Sequence, residues 1–466
     1  MPVNHSVRPA CSSFLLLVSR TARNLKSSGS IFDFWAALNP SILPILPSRG
    51  LLPGLDFRSI IHHRHHHHHH HPQQSPISNM RIATLQFAPR LGDVEGNIRR
   101  ADELLKLTPP SSSTSISNGD DIRSSGPGIE ELRPDILVLP EMAFSGYNFP
   151  SLEAIKPFLE PQGTGPSGRW ARETARRLRC KVCVGYPEIV KAGEEQGEDE
   201  QEESSSNKED KYYNSLIVVG EDGQVLHNYR KRFLYYTDES WASEGDAGRG
   251  FLPLEFGHPT AEGKTKKHHV PTTFGICMDI NPYKFEAPFT AWEFANRVLD
   301  SQSQLVIVST AWLAVDSDAL FAAPSHRPDM DTFNYWMRRF WPLIERRLTH
   351  SGDLDGLSSS SEKRVVLVFA NRTGIEESAG GVIPTATYVG TSTVVAITQE
   401  STRDVTESTG NGAKTSISPS NVKIHCWGMK GAREEGICFA DTQSEPAMTF
   451  VPEQRASRES DDGSGA

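Results

Sequence analysis

The chain has 466 residues, 37% of them apolar, with a mean hydropathy of −0.43, which admits one large domain or several ordinary ones and points to polar segments interrupting a normal core. A net charge of −10 and a pI near 6.0 argue against a general affinity for nucleic-acid phosphates or anionic lipid. Six cysteines are too sparse for a disulfide scaffold and fit a reducing compartment, and the absence of a long apolar run leads us to expect a soluble protein.

Residues 1–79 carry Arg8, Arg20, Arg23 and Lys26 among many serines, with no acid before Asp33. That is the composition of a mitochondrial transit segment, and equally of a low-complexity extension upstream of Met80. The leader is expected to be disordered, with the cytoplasm as the expected location and mitochondria as a second one. The histidine run at 65–71 lacks a defined ligand geometry and reads as an adventitious metal binder.

From Met80, MRIATLQFAP predicts a buried strand, and 96–107 an amphipathic helix with Ile98, Leu104 and Leu105 on one side. After a Ser/Pro/Gly-rich insertion (about 108–133), residues 135–139 form a short apolar strand that ends at Pro140-Glu141. This puts a carboxylate just past a strand end, where open α/β sheets place ligands. Residues 168–178 read as a helix and 181–186 as a strand. An acidic insertion (about 191–211) self-repels and buries nothing. Beyond it, 213–219 and 224–230 form a hairpin around Glu221-Asp222-Gly223 that runs directly into Lys231.

Residues 270–276 give another strand, Cys277 ends it, and 285–298 continue as an amphipathic helix. Strands at 305–309, 365–370 and 390–397 and an aromatic-rich helix at 331–348 follow. Polar insertions at about 351–363 and 400–420 and a tail at 452–466 are expected to be disordered. A single α/β domain over 80–451 fits better than two, because the candidate catalytic residues are spread across the whole span.

Hydrolysing an amide needs a nucleophile, a base, an acid for the leaving nitrogen and positive charge for the oxyanion. Glu141, Lys231 and Cys277 together supply all four. A cysteine at a helix start has its thiol pKa lowered by the helix's positive pole and has backbone N–H groups at hand, that of Met278 first among them. Taken singly, each residue has an ordinary reading as a small buried hydrophobe, a turn residue or a solvated charge. Cys180 and Cys183 form a C-x-x-C without a partner pair and read as structural thiols.

LVLPEMAFSGYNF (137–149), YRKRFLYYTDESW (229–241) and FGICMDINPYKFE (274–286) resemble, in order, the three catalytic motifs of the nitrilase (carbon-nitrogen hydrolase) superfamily. MRIATLQFAPRLGDVEGN, IVSTAW (307–312), FANRTGIE (369–376) and YVGTSTVV (388–395) resemble its framework strands, so the likeness spans most of the non-insert sequence. CMDINPYKFEAPFTAWEFA with KRFLYYTDESWASEG is similar to the branch of fungal protein N-terminal amidases. The chain has Lys231-Arg232-Phe233-Leu234 where many relatives carry Lys-x-His-Leu, which argues against the small ω-amidase and carbamoylase branches.

The resemblance implies a four-layer αββα sandwich needing no metal and no cofactor. It implies Cys277 as nucleophile, Glu141 as proton carrier, and Lys231 with the Met278 N–H at the oxyanion. A second glutamate assists in many relatives, and Glu239, eight residues after Lys231, matches that position better than Glu244. The implied reaction deamidates N-terminal Asn and Gln of proteins or peptides to Asp and Glu through a thioester, feeding an N-degron degradation pathway. Tyr147, Asn148, Asp238, Asp279, Thr310 and Trp312 are candidate substrate contacts, with Asp279 alternatively holding Lys284 or loop backbone and the aromatics alternatively core. The competing readings are a small-molecule amidase or nitrilase of the same superfamily, and a catalytically silent binding protein on its fold.

Overall fold

Strands whose side chains alternate between two buried faces require cover on both, and the chain provides it with two sheets packed together and helices outside each. A computed structural model describes residues 57–60, 79–107, 127–193, 209–259, 265–349, 362–400 and 421–452. Most of the leader with its histidine run, the bulk of the four insertions and the tail beyond 452 lie outside the described residues.

With strands numbered along the chain, the larger sheet runs β1 (Phe57–Ile60), β16 (Met448–Pro452), β14 (Val422–Met429), β13 (Thr393–Glu400), β10 (Glu362–Asn371), β9 (Leu305–Thr310), β8 (Thr265–Ile276) and β7 (Phe251–Pro259). The smaller runs β15 (Gly436–Asp441), β2 (Arg81–Gln86), β3 (Ile136–Val138), β4 (Lys181–Val190), β5 (Lys211–Val219) and β6 (Val225–Arg230). A separate hairpin pairs β11 (Thr373–Glu377) with β12 (Thr385–Val389). In each sheet the central strands are parallel, β2 with β3 and β4, β8 with β9 and β10, so their carboxyl ends point the same way and gather the loops that follow them.

The period-2 alternation sorts the core. Ile82, Ile136, Val138, Leu216 and Val218 pack against Phe274, Ile276, Ile307, Val366 and Val368 of the other sheet. Their neighbours Ala83, Leu85, Leu137, Val182 and Ile217 turn the other way, onto Ala101 and Leu105 of helix Val94–Leu105 and Trp170, Ala171 and Ala175 of helix Pro166–Leu178. Outside the larger sheet, Trp336 stacks on Phe369 with ring centroids 4.5 Å apart. The expected αββα order of layers results.

Three expectations change. The leader supplies an edge strand: β1 pairs antiparallel with β16, covering backbone groups that β16 would otherwise leave open. The helix expected at 285–298 begins at Glu293, because Lys284, Phe285 and Trp292 all take left-handed φ values and Pro282 and Pro288 precede short 3-10 turns. The helix expected at 331–348 breaks at Phe340 into Met330–Arg339 and Trp341–Glu345, since Pro342 has no N–H to continue the ladder. Strand β7 and residues 421–451 carried no clear sequence signal, yet β15 closes the smaller sheet against β2.

Candidate active site

Three strand ends supply three side chains. Glu141 follows β3 through Leu139-Pro140, and the turn lies so close to β4 that a Cβ on Gly185 would sit 2.7 Å from Glu141 Cα and Pro140 O. Lys231 is the first residue beyond β6, its backbone N–H donating to the Asn214 carbonyl at 2.8 Å. Cys277 is the first residue beyond β8 and takes φ +43°, a strained conformation of the kind found at functional turns.

The Lys231 Nζ donates to Glu141 Oε1 and to Asp238 Oδ2, both at 2.6 Å, and all three side chains are fully buried. Asn214 Nδ2 donates to Glu141 Oε1 (2.7 Å) and Asp238 Oδ1 (3.0 Å), tying the carboxylates together from the other side. The Ala311 N–H, just past β9, donates to Glu141 Oε2 at 2.8 Å. Asp238 further accepts from the Tyr147 hydroxyl (3.2 Å) and the Tyr235 N–H (3.0 Å). Each carboxylate is thus spanned by several donors, as burial of charge demands.

Burial pushes the Glu141 carboxyl above the ordinary range, against the pull of Lys231. It opposes the Lys231 charge too, but the Asp238 and Glu141 carboxylates outweigh it and hold this ammonium above its usual pKa. The partly buried Cys277 thiol is raised well above 9 by burial and by the Glu141 charge, with Lys231 and the Ala311 N–H opposing. The expectation of a thiol acidified by a helix pole is therefore corrected: Cys277 opens only a four-residue 3-10 turn, Cys277–Ile280, and burial together with the Glu141 charge outweighs the pull of Lys231. This pair suits proton transfer from a neutral thiol to a buried carboxylate during attack.

The sequence profile of the family described as Carbon-nitrogen hydrolase matches residues 81–280. Over 335 residues the chain is 31% identical to the "Protein N-terminal amidase" of Schizosaccharomyces pombe, covering 69% of this chain and 92% of that protein. The chain belongs to the carbon-nitrogen hydrolase (nitrilase) family. This hydrolase is also 30% identical over 240 residues to the "Protein N-terminal amidase" of Saccharomyces cerevisiae, spanning 50% of this chain and 45% of the yeast one. Its fold matches a crystal structure of N-terminal amidase with an Asn-Glu-Ala peptide at a TM-score of 0.54 and 21% identity, over 81% of this chain and 99% of that one.

Within the hydrolase, Glu141, Lys231 and Cys277 are brought together, and Met278 follows Cys277 on the same turn, its side chain buried. Glu239 is not: it is exposed, and its neighbour Asp238 occupies the place beside Lys231. The 3-10 turn Asp238–Ser240 turns consecutive side chains to different sides, so a count of eight from Lys231 lands one residue too far. Glu244 is also exposed and accepts from the Tyr283 hydroxyl.

Asp279 is consumed by the framework, accepting from the Ile276, Arg232 and Phe233 N–H groups and the Tyr229 hydroxyl. It clamps the lysine loop to the cysteine loop, the loop-backbone role named as its alternative. Thr310 donates to the Ala370 carbonyl at 3.3 Å, and the Trp312 ring packs against Tyr335 and Trp336 while its backbone N–H donates to Asn371 Oδ1. Tyr147 faces Asp238 and Lys231, while the Asn148 side chain donates to the Ile383 carbonyl.

Sequence reading missed Asn214, the Ala311 N–H and Glu376. An asparagine at a buried position of the strand Lys211–Val219 was the available signal for the first; a backbone donor leaves none. Cys180, Cys183, Cys426 and Cys438 are buried free thiols, and burial pushes Cys180 and Cys438 to about 12, leaving Cys277 the one partly exposed cysteine among the described residues.

Proposed function

We propose that this hydrolase deamidates N-terminal Asn and Gln of peptides and proteins to Asp and Glu, releasing ammonia through a Cys277 thioester. The chemistry rests on one observation, the Lys231 ammonium held 2.6 Å from Glu141 in the electrostatic reach of the Cys277 sulfur. The substrate class rests on the likeness to a protein N-terminal amidase along 92% of its length.

As the Cys277 sulfur attacks the side-chain carboxamide carbon, Glu141 takes the thiol proton. The oxyanion meets the Lys231 ammonium and the Met278 N–H. Collapse breaks the C–N bond, and the nitrogen leaves as ammonia with the proton returned from Glu141. Water, deprotonated by Glu141, then attacks the thioester carbon. The thiolate leaves and regains that proton, and the product is a carboxylic acid. Asp238 and Asn214 keep Lys231 and Glu141 in register, so the second acid of the site is Asp238 in this reading. The new N-terminal acid suits an N-degron pathway in which such residues are recognised.

Purified protein incubated with Asn-initiated and Gln-initiated peptides, free and acetylated, tests this. Ammonia is expected from the free peptides and not from the acetylated ones. No ammonia from the free peptides, or free glutamine and simple amides turned over as fast, would overturn the substrate assignment.

A further inference from the structure

The turn that follows Glu141 is gripped from outside the reacting group. Glu376, on β11, is buried, and its carboxylate accepts from the Asn148 N–H (2.9 Å), the Tyr147 N–H (3.1 Å), the Tyr388 hydroxyl (2.6 Å) and the Arg372 guanidinium. Asn148 returns the contact by donating its side-chain N–H to the Ile383 carbonyl at 2.7 Å, so the β11–β12 hairpin holds the turn at two points. Gly146 shows how close the approach is: a Cβ there would lie 2.7 Å from Glu376 Oε1, and its φ of +80° suits glycine alone.

What this grip positions is Tyr147. Its hydroxyl donates to Asp238 Oδ2 at 3.2 Å, and its ring centroid lies 5.5 Å from Lys231 Nζ. Asp238 in turn is one of the two carboxylates that seat Lys231. The contacts therefore run by hydrogen bond from Glu376 to the Tyr147 backbone, across the Tyr147 side chain itself, and by hydrogen bond again from its hydroxyl to Asp238 and on to Lys231. Two of the four donors on Glu376 come from this one turn, more than a carboxylate serving only its own hairpin would collect.

We propose that Glu376 is a positioning residue for amide hydrolysis, fixing the Tyr147–Asn148 backbone so that the Tyr147 hydroxyl sets Asp238 and, through it, Lys231. The proposal rests on the reading of Glu141, Lys231 and Cys277 as the reacting groups. Glutamine at 376 keeps the shape but turns an N–H₂ toward backbone donors and Arg372, which frees the turn.

The test measures kcat and KM for ammonia release from an Asn-initiated peptide, and the pH dependence of Cys277 alkylation by iodoacetamide, in wild type, E376Q, Y147F and the double variant. E376Q is expected to lower kcat about 10-fold or more with KM changed by less than about threefold, and to move the alkylation profile to higher pH. Y147F is expected to act in the same direction. The double variant is expected to be no worse than the poorer single one, because both break one chain of contacts. Losses that multiply, or an E376Q enzyme with unchanged kcat and alkylation profile, would overturn the proposal.

If E376Q does not fold, Y388F takes its place, removing one donor from Glu376 and leaving both charges. Its smaller loss must likewise vanish in the Y147F background, or the proposal fails. A wild-type enzyme that releases no ammonia from peptides sinks the substrate reading alone, since the alkylation measurements still decide the role of Glu376.

Discussion

Asp238→Asn separates the geometry from the spacing argument most sharply. The substitution keeps the side chain's shape and removes the charge that lies 2.6 Å from the Lys231 Nζ with both groups fully buried. Breaking a buried ion pair costs about 3–5 kcal/mol, and because Glu141 still pairs with Lys231 the lower end, about 3 kcal/mol, is expected here. Asn214, Tyr147 and the Tyr235 N–H also lose a charged acceptor, so Lys231 relaxes toward Glu141. Displacing a group at the reacting centre by about 1 Å costs roughly 100-fold in rate. Urea melts and kcat/KM for Asn-initiated and Gln-initiated peptides read the two effects, with Glu239→Gln measured alongside. Asp238→Asn should lose about 100-fold in kcat/KM while Glu239→Gln, on an exposed side chain, stays within about twofold. The reverse order would refute the assignment of Asp238 as the second acid.

Cys277→Ser and Cys277→Ala should abolish turnover while thermal melts stay cooperative, and Lys231→Ala should lose nearly as much; retained activity in either ends the thioester scheme. Because burial raises the Glu141 carboxyl and the base must be ionised, kcat/KM should fall on the acid side at a higher pH than an ordinary glutamate gives. A pH series on wild type checks this. Gly185→Ala should push the Glu141 turn off β4, lowering stability by about 1–3 kcal/mol and kcat by about 10-fold, as read by melts and ammonia release. Glu160, raised to about 7 by burial against donation from Ser167, binds a proton when folded that the unfolded chain has released. Stability should therefore fall as pH rises from about 4.5 to about 7, by up to about 3 kcal/mol, and Glu160→Gln should flatten that slope in urea melts.

Much of this architecture was legible because buried parallel strands write themselves as apolar runs. The strands β2, β3, β8, β9 and β10, and with them the positions of Glu141 and Cys277, follow from such runs ending at a polar residue. The hairpin of β5 and β6 was legible from its turn chemistry, and it delivered Lys231. What stayed hidden depends on contacts between distant segments. Strand β15 reads as unremarkable sequence and gains its identity only from pairing with β2 more than 300 residues earlier. The placement of Asp238 rather than Glu239 beside Lys231 depends on the pitch of a 3-10 turn, which a residue count ignores. The thiol's raised pKa was also beyond sequence, because a nearby Glu141 and burial oppose the helix-pole effect, and no long helix follows Cys277 to supply it.

Rapid quench of wild-type protein with an Asn-initiated peptide, followed by intact-mass and peptide-map analysis, tests the reacting group most directly. A covalent adduct equal to the peptide less one ammonia, located on Cys277 and absent in Lys231→Ala, is the expected result. Ammonia release with no adduct on Cys277, or an adduct on another residue, would contradict a thiol nucleophile served by Glu141 and Lys231.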